Sequence, residues 1–382
     1  MTQEPFGDIP LFREIQRLLS SSSGPINYEI ARQVAGAMAA QAGPDITPDP
    51  DRSRAVAESV YRAQGLLSGY TRLALDEPLQ AGSVSRGWWI DSTMGSWRWL
   101  LEHLAGRFSA ELGRLGESEG EGPNPIQSAM SQIAPLLMGI QVGTIVGNLA
   151  PKVLSRYDLP IPRDDDGRLF VVEPNARALA SDYGVVYEEM VSWIAMQEVA
   201  RALALTVTNW MARYYRSLMI ELVDSIEIDT AAFERRLMEL QTESMESLQA
   251  GMGGEGALPI VSSERHRAAR DRLQAFVALL GGYAQHACRQ IAPQMIPDAA
   301  KIEEIMTRRA ASPNDAEVML STILGLSFDR TLEEAGATFC AAVISLKGMH
   351  ALNRVWDAPD NLPAMNEIRD PFLWMERVLG SA

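Results

Sequence analysis

Histidine and cysteine are scarce in this chain. Its 382 residues include four histidines and two cysteines. Two cysteines cannot build a disulfide framework, and their scarcity points to a reducing compartment. His103, His266, His286 and His350 are scattered, none pairs with another at helical spacing, and no Cys-x-x-Cys occurs, so a transition-metal site built on these residues is not expected. Basic residues are also short, 34 Lys and Arg against 49 Asp and Glu for a net charge of −15. That balance argues against nucleic acid as a partner, because neutralising phosphates needs a basic face. The first ten residues have neither a basic stretch nor an apolar core, so no secretory signal is visible and a cytoplasmic location is the default.

Long apolar runs are missing too. The most apolar stretch, 133–150, is interrupted by Gln141 and Asn148 and has no basic cluster beside it. A membrane span needs about 20 apolar residues, so this stretch is expected to be a buried helix rather than a membrane segment. Gly139, Gly143 and Gly147 recur every four residues, which puts them on one helix face where another backbone can approach closely. With 47% hydrophobic and 22% charged residues, the chain has ample material for a core and is not disordered.

Helical periodicity dominates what is present. Apolar residues recur at three and four over 12–19, 27–40, 50–75 and 95–115, and Asp49-Pro50-Asp51 is a helix start. Two breaks, the acidic Gly-rich run 115–123 and the glycine-dense 250–256, divide the chain into regions 1–116, 124–250 and 257–382, expected to pack as one or two compact domains. Ser20 to Ser23 reads as a loop. Asp164-Asp165-Asp166-Gly167 has turn chemistry and lacks the rest of a calcium-loop pattern. After it, Leu169-Phe170-Val171-Val172 is a short strand or hairpin. Trp88, Trp89, Trp97 and Trp99 are expected in core packing rather than around a ligand groove. The expected fold class is mainly α, with one small β element.

The helix expected over 187–207 contains Gln197-Glu198-Val199-Ala200-Arg201. It stands where a zincin metallopeptidase has His-Glu-x-x-His, in which two histidines hold zinc and the glutamate activates the bound water. Around it, the chain resembles a bacterial zincin-like metallopeptidase or hydrolase family of unknown function over nearly its whole length. The resemblance rests on Gly24-Pro25-Ile26-Asn27-Tyr28, Tyr157-Asp158-Leu159-Pro160, Val172-Glu173-Pro174-Asn175, Trp193 and Asn209-Trp210. Towards the end it rests on Arg308-Arg309, Leu324-Gly325-Leu326, Asn353-Arg354-Val355-Trp356, Leu362-Pro363, Glu367-Ile368-Arg369-Asp370-Pro371, Trp374 and Arg377. It implies a zincin-like helical core and a zinc-dependent hydrolase.

The chain departs from the family at the positions that matter most. Gln197 and Arg201 occupy the two histidine positions, and Gly281, in Leu280-Gly281-Gly282-Tyr283-Ala284, occupies the place of the family's third ligand, a glutamate. An amide is a poor zinc ligand and a guanidinium is always cationic. Of the implied machinery only Glu198, the general base, survives, and its role here is expected to be vestigial. No metal and no cofactor are therefore expected. Arg201, three residues past Glu198, is expected to neutralise it in the metal's stead, with Gly281 leaving room for the long side chain. The implied function is a catalytically inactive family member with a binding, regulatory or structural role and a protein or peptide as ligand. The alternative is an active, peptidase-like hydrolase with a rearranged site around Glu198.

Overall fold

A computed structural model of the chain describes residues 24–75, 77–116, 125–227, 263–312, 315–324 and 330–380. The expected helix over 12–19, the Ser20 to Ser23 loop, most of the 115–123 break and the 250–256 break lie outside these residues. In chain order the helices and strands are α1 (Tyr28–Ala40), α2 (Pro50–Thr71), β1 (Ala81–Val84), α3 (Arg86–Ser96), α4 (Arg98–Gly116) and α5 (Pro125–Leu149). They continue as β2 (Leu169–Val172), α6 (Glu173–Asp182), α7 (Tyr187–Thr206), α8 (Met211–Asp224), α9 (Glu264–Ile291) and α10 (Ala299–Ala310). The last are α11 (Asp315–Leu324), α12 (Arg330–Lys347), α13 (Met349–Leu352), α14 (Met365–Arg369) and α15 (Pro371–Leu379). The fold is mainly α, and the two four-residue strands make up the β structure of the described residues.

Residues gather into two compact units, one formed by Met1–Pro44, Ile90–Pro151 and Ile226–Val261, the other by Asp45–Trp89, Lys152–Ser225 and Ser262–Ala382. In the first unit, the glycine face of α5 lies against α1. A Cβ on Gly139 would come within 2.5 Å of the Asn27 carbonyl oxygen, and one on Gly143 within 2.5 Å of that of Ala31. Asn27 also caps α1 through its side chain, which accepts from the Ile30 amide at 3.1 Å, while its own amide donates to Pro135 at 2.8 Å. The same residue therefore starts one helix and fastens it to the other.

The second unit is built around α7. Fourteen of its twenty residues are buried, on every side of the helix, and Glu198 is the one ionisable group among them. This helix packs against α2, α8 and α9. The α9 helix in turn lies against α12 at a backbone-to-backbone crossing, where a Cβ on Gly282 would sit 2.2 Å from the Gly336 carbonyl carbon. The small sheet is parallel and in register Ala81 with Leu169 through Val84 with Val172. The strand over 169–172 is therefore not part of a hairpin. Its partner comes from far earlier in the chain, where Ala-Gly-Ser-Val carries no strand pattern.

Among the described residues no single helix is long and apolar enough to cross a membrane; α7 and α8 pass that test only as a pair bent by 92°. Trp89 and Trp97 are buried, while Trp88 is 43% exposed and meets Phe170 edge-on.

The glycine crossing generates a stability prediction. Gly282→Ala should force α9 and α12 apart and destabilise the protein by about 2 kcal/mol, the usual scale of overpacking. Gly65→Ala, mid-helix in α2 with nothing near its added carbon, should be neutral or stabilising by up to about 1 kcal/mol. Urea midpoints of the two variants, compared with the wild type, check both.

Candidate active site

Glu198 is 2% exposed, and what holds it is the segment that precedes β2. The Val172 amide donates to Leu154, and Ser155 bridges to Val171, so one edge of β2 grips residues 154–155 while its other edge pairs with β1. That grip aims two donors at Glu198. The Ser155 hydroxyl and the Tyr157 amide each donate to Oε1 at 2.9 Å. Oε2 is buried and has no hydrogen-bond partner. The next residue, Asp158, turns the segment back by accepting from the Leu154 amide at 2.9 Å, and Arg309 of α10 clamps it with bonds of 2.9 and 2.6 Å.

One turn further along α7, Arg201 does not bond to Glu198. Its guanidinium donates to Gln197 Oε1 at 3.1 Å and to Glu333 Oε1 of α12 at 3.2 Å. The expected direct pair is thus replaced by one with a residue 132 positions away, and Arg201 acts on Glu198 only through space. Gly281 explains why Glu333 can be there. A Cβ on Gly281 would fall 2.7 Å from Glu333 Oε1, so the carboxylate fills the space that a side chain on Gly281 would need. The room at Gly281 is taken by Glu333, not by Arg201.

Gln197, Arg201, Gly281 and Glu333, with Ser155, Tyr157, Asp158, Tyr215 and Arg309, surround a cavity of about 200 Å³ whose walls include Trp193, Ile194, Leu280 and Met306. The structure therefore brings all four sequence-expected positions together, Glu198 just behind the lining and the other three on it. Glu333 and Tyr215 carried no motif in the sequence. Asp158 and Arg309 lay in stretches that carry the family resemblance, but nothing in them told that they would pair.

The histidines do not join this site. His286 bonds Tyr70 at 2.8 Å and His266 bonds Ser225 at 3.0 Å. In the acidic turn, Asp164 pairs with Arg216, Asp165 with both Arg156 and Arg163, and Asp166 accepts from the Arg168 amide. These carboxylates are engaged by arginines and backbone, and Asp165 lies against the largely buried side chains of Arg156 and Arg163.

The electrostatics of the site follow from burial. Loss of solvent raises the Glu198 pKa to about 7, against the pull of the Arg201 charge and of the Tyr157 and Ser155 donors. Burial works against the charged form of Arg201, but Glu333 and then Glu198 outweigh it and hold its pKa above the ordinary value. A zinc ion does not fit these residues. Where the family pattern needs two neutral imidazoles, a guanidinium already stands bonded to the neighbouring amide and to a carboxylate. Among the described residues no three His, Cys, Asp or Glu side chains are grouped to hold a metal.

The raised pKa of Glu198 has a consequence for stability. The folded state holds this proton up to about pH 7, whereas an unfolded glutamate releases it near pH 4.3. Between those values the folded state binds more protons, so the contribution of Glu198 to stability falls as pH rises. Glu198→Gln keeps an acceptor for Ser155 and Tyr157 and removes the charge. We expect it to stabilise the protein at pH 8 by on the order of 2 kcal/mol, with the gain shrinking to nothing near pH 4. Denaturant titrations of both proteins across that range check the sign and the window.

Comparison with known proteins gives the arrangement its setting. A family model described as a zincin-like metallopeptidase matches residues 26–375. No curated protein matches the chain. The crystal structure of a putative hydrolase with a novel fold from Chloroflexus aurantiacus is similar with a TM-score of 0.64 and 24% identity, over 94% of this chain and 100% of that one. At that identity the likeness speaks for the fold. The family match spans both units and includes the Glu198 helix and the Gly281 segment, and on it the chain belongs to the zincin-like metallopeptidase family.

Proposed function

We propose that this family member has given up zinc chemistry and uses the cavity beside Glu198 to bind a ligand, in a regulatory or structural role. The observation that carries this reading is the Arg201 guanidinium, bonded to Gln197 and Glu333 among the very positions the family pattern reserves for metal ligands. A fixed cation there opposes a second one, and no neutral nitrogen is on offer. The cavity meanwhile persists, with apolar walls and a few convergent polar groups, which is the character of a small-ligand site.

A second reading, hydrolysis with Glu198 as general base, is favoured by one observation. An acid with a pKa of about 7 hydrogen-bonded to the Ser155 hydroxyl is poised to move a proton at neutral pH. Against it, the carboxylate is almost wholly buried and Oε1 already accepts two bonds, which leaves little access for an attacking water.

Metal titration separates the readings. The purified protein should hold no stoichiometric zinc, and its melting temperature should not move with added zinc or chelator, since a ligand that mattered would stabilise by mass action. A chelator-induced fall in melting temperature would overturn the proposal. The position of Glu333 adds a sharper test. Gln197→His with Arg201→His would supply two imidazoles one helical turn apart and leave the Glu333 carboxylate without its guanidinium. The double variant should then bind zinc through Glu333, and adding Glu333→Ala should weaken that binding at least tenfold in competition with a chromophoric chelator. Adding Gly281→Glu should not help while Glu333 is present, because both carboxylates claim one space.

A further inference from the structure

The donors and acceptors around the cavity are out of balance. Its two arginines are engaged: Arg201 by Gln197 and Glu333, Arg309 by both oxygens of Asp158 and by the Lys152 carbonyl. Its acids are not. Glu333 uses only Oε1, towards Arg201, and Glu303 uses only Oε1, towards Arg289. Behind the lining, Oε2 of Glu198 has no partner, and the hydroxyl of Tyr215, a lining residue only 4% exposed, has none. On the lining itself, Asp158, Glu303, Glu317 and Glu333 set four carboxylates against the two guanidiniums of Arg201 and Arg309, with Arg289 reaching Glu303 from outside it. The Glu303 and Glu333 side chains are 29% and 37% exposed, which leaves their second oxygens within a ligand's reach, and a surplus of carboxylates lining one cavity favours a cation.

We propose that the cavity binds a small organic cation, an alkylammonium or alkylguanidinium, whose charged head meets the free carboxylate edges of Glu333 and Glu303 and whose chain lies along Trp193 and Leu280. The volume, about 200 Å³, suits a fragment-sized molecule. This ligand class rests on the metal-free reading, since a bound dication would cancel the charge surplus that the organic cation answers. Ammonium and guanidinium groups have several donors and no acceptor, which complements the free carboxylate oxygens of Glu303 and Glu333.

The test uses the full-length protein and four probes of one chain length: hexylammonium, hexylguanidinium, 1-hexanol and hexanoate, measured by calorimetry and thermal shift at pH 7.5. Both cations should raise the melting temperature and bind at least tenfold more tightly than hexanol, with hexanoate weakest. Glu333→Gln should weaken hexylammonium at least tenfold and strengthen hexanoate, because Arg201 is then released. Glu303→Gln should weaken the cations several-fold and serves as the second variant should Glu333→Gln fail to fold. Hexanol or hexanoate binding as tightly as the cations, or no binding by either cation, would overturn the proposal. The chelator result is read separately: a chelator-insensitive protein that ignores the cations loses only this ligand class, whereas a chelator-sensitive one loses the metal-free reading itself.

Discussion

The buried carboxylate of Glu198 is the constraint around which the site is arranged. Placing an ionisable group at 2% exposure in the middle of an apolar helix costs several kcal/mol unless something compensates. Two donors from one short segment supply part of that compensation, both to the same oxygen. Those donors stay aimed only because β2 grips the segment from one side and Arg309 clamps Asp158 from the other. The two-stranded sheet, small as it is, therefore sets the position of the acid. Its remaining oxygen is left unmatched, and the group responds by holding its proton to about pH 7.

Glu333 shows how a packing detail becomes an electrostatic one. The α12 helix can come close to α9 because Gly282 and Gly336 meet with no side chain between them. That approach carries Glu333 over Gly281 and into reach of Arg201. The resemblance read from the sequence implies a carboxylate in this region on α9 itself, at the position of Gly281. Here a carboxylate occupies nearly the same space from the neighbouring helix, facing a guanidinium instead of a metal. The spot thus sets one anion opposite one cation, drawn from two different helices.

The parts of this arrangement that local chemistry dictates could be read from the sequence. Asp49 before Pro50 starts α2, although the helix ends at Thr71, short of the expected 75, where Arg72 turns left-handed with φ at 60°. The α5 glycines foretold a close helix contact and Leu169 to Val172 a strand. Pairings between distant segments were not legible. Ala81 to Val84 is a strand only because Gly82 admits Arg168 and Ser53 alongside it and β2 supplies an edge. Arg201 pairing with Glu198 was the economical local guess, since they lie three apart. Arg201 bonds instead to a glutamate 132 positions away.

The metal-free reading proposed here requires a fold that needs no metal to hold it together, and the forces around this site are of that kind. The α7 helix is fixed by apolar packing on all sides. The α9 helix starts from its own cap, Ser263 accepting from the His266 amide. The 154–158 segment is tied by backbone bonds to β2 and by an ion pair to α10. None of these ties passes through Gln197, Arg201 or Gly281. The cavity that these three positions line is held by the packing, the cap and the backbone ties of its walls. Where a structural zinc supplies the folding energy itself, as in small zinc fingers, a chain without the metal is unfolded.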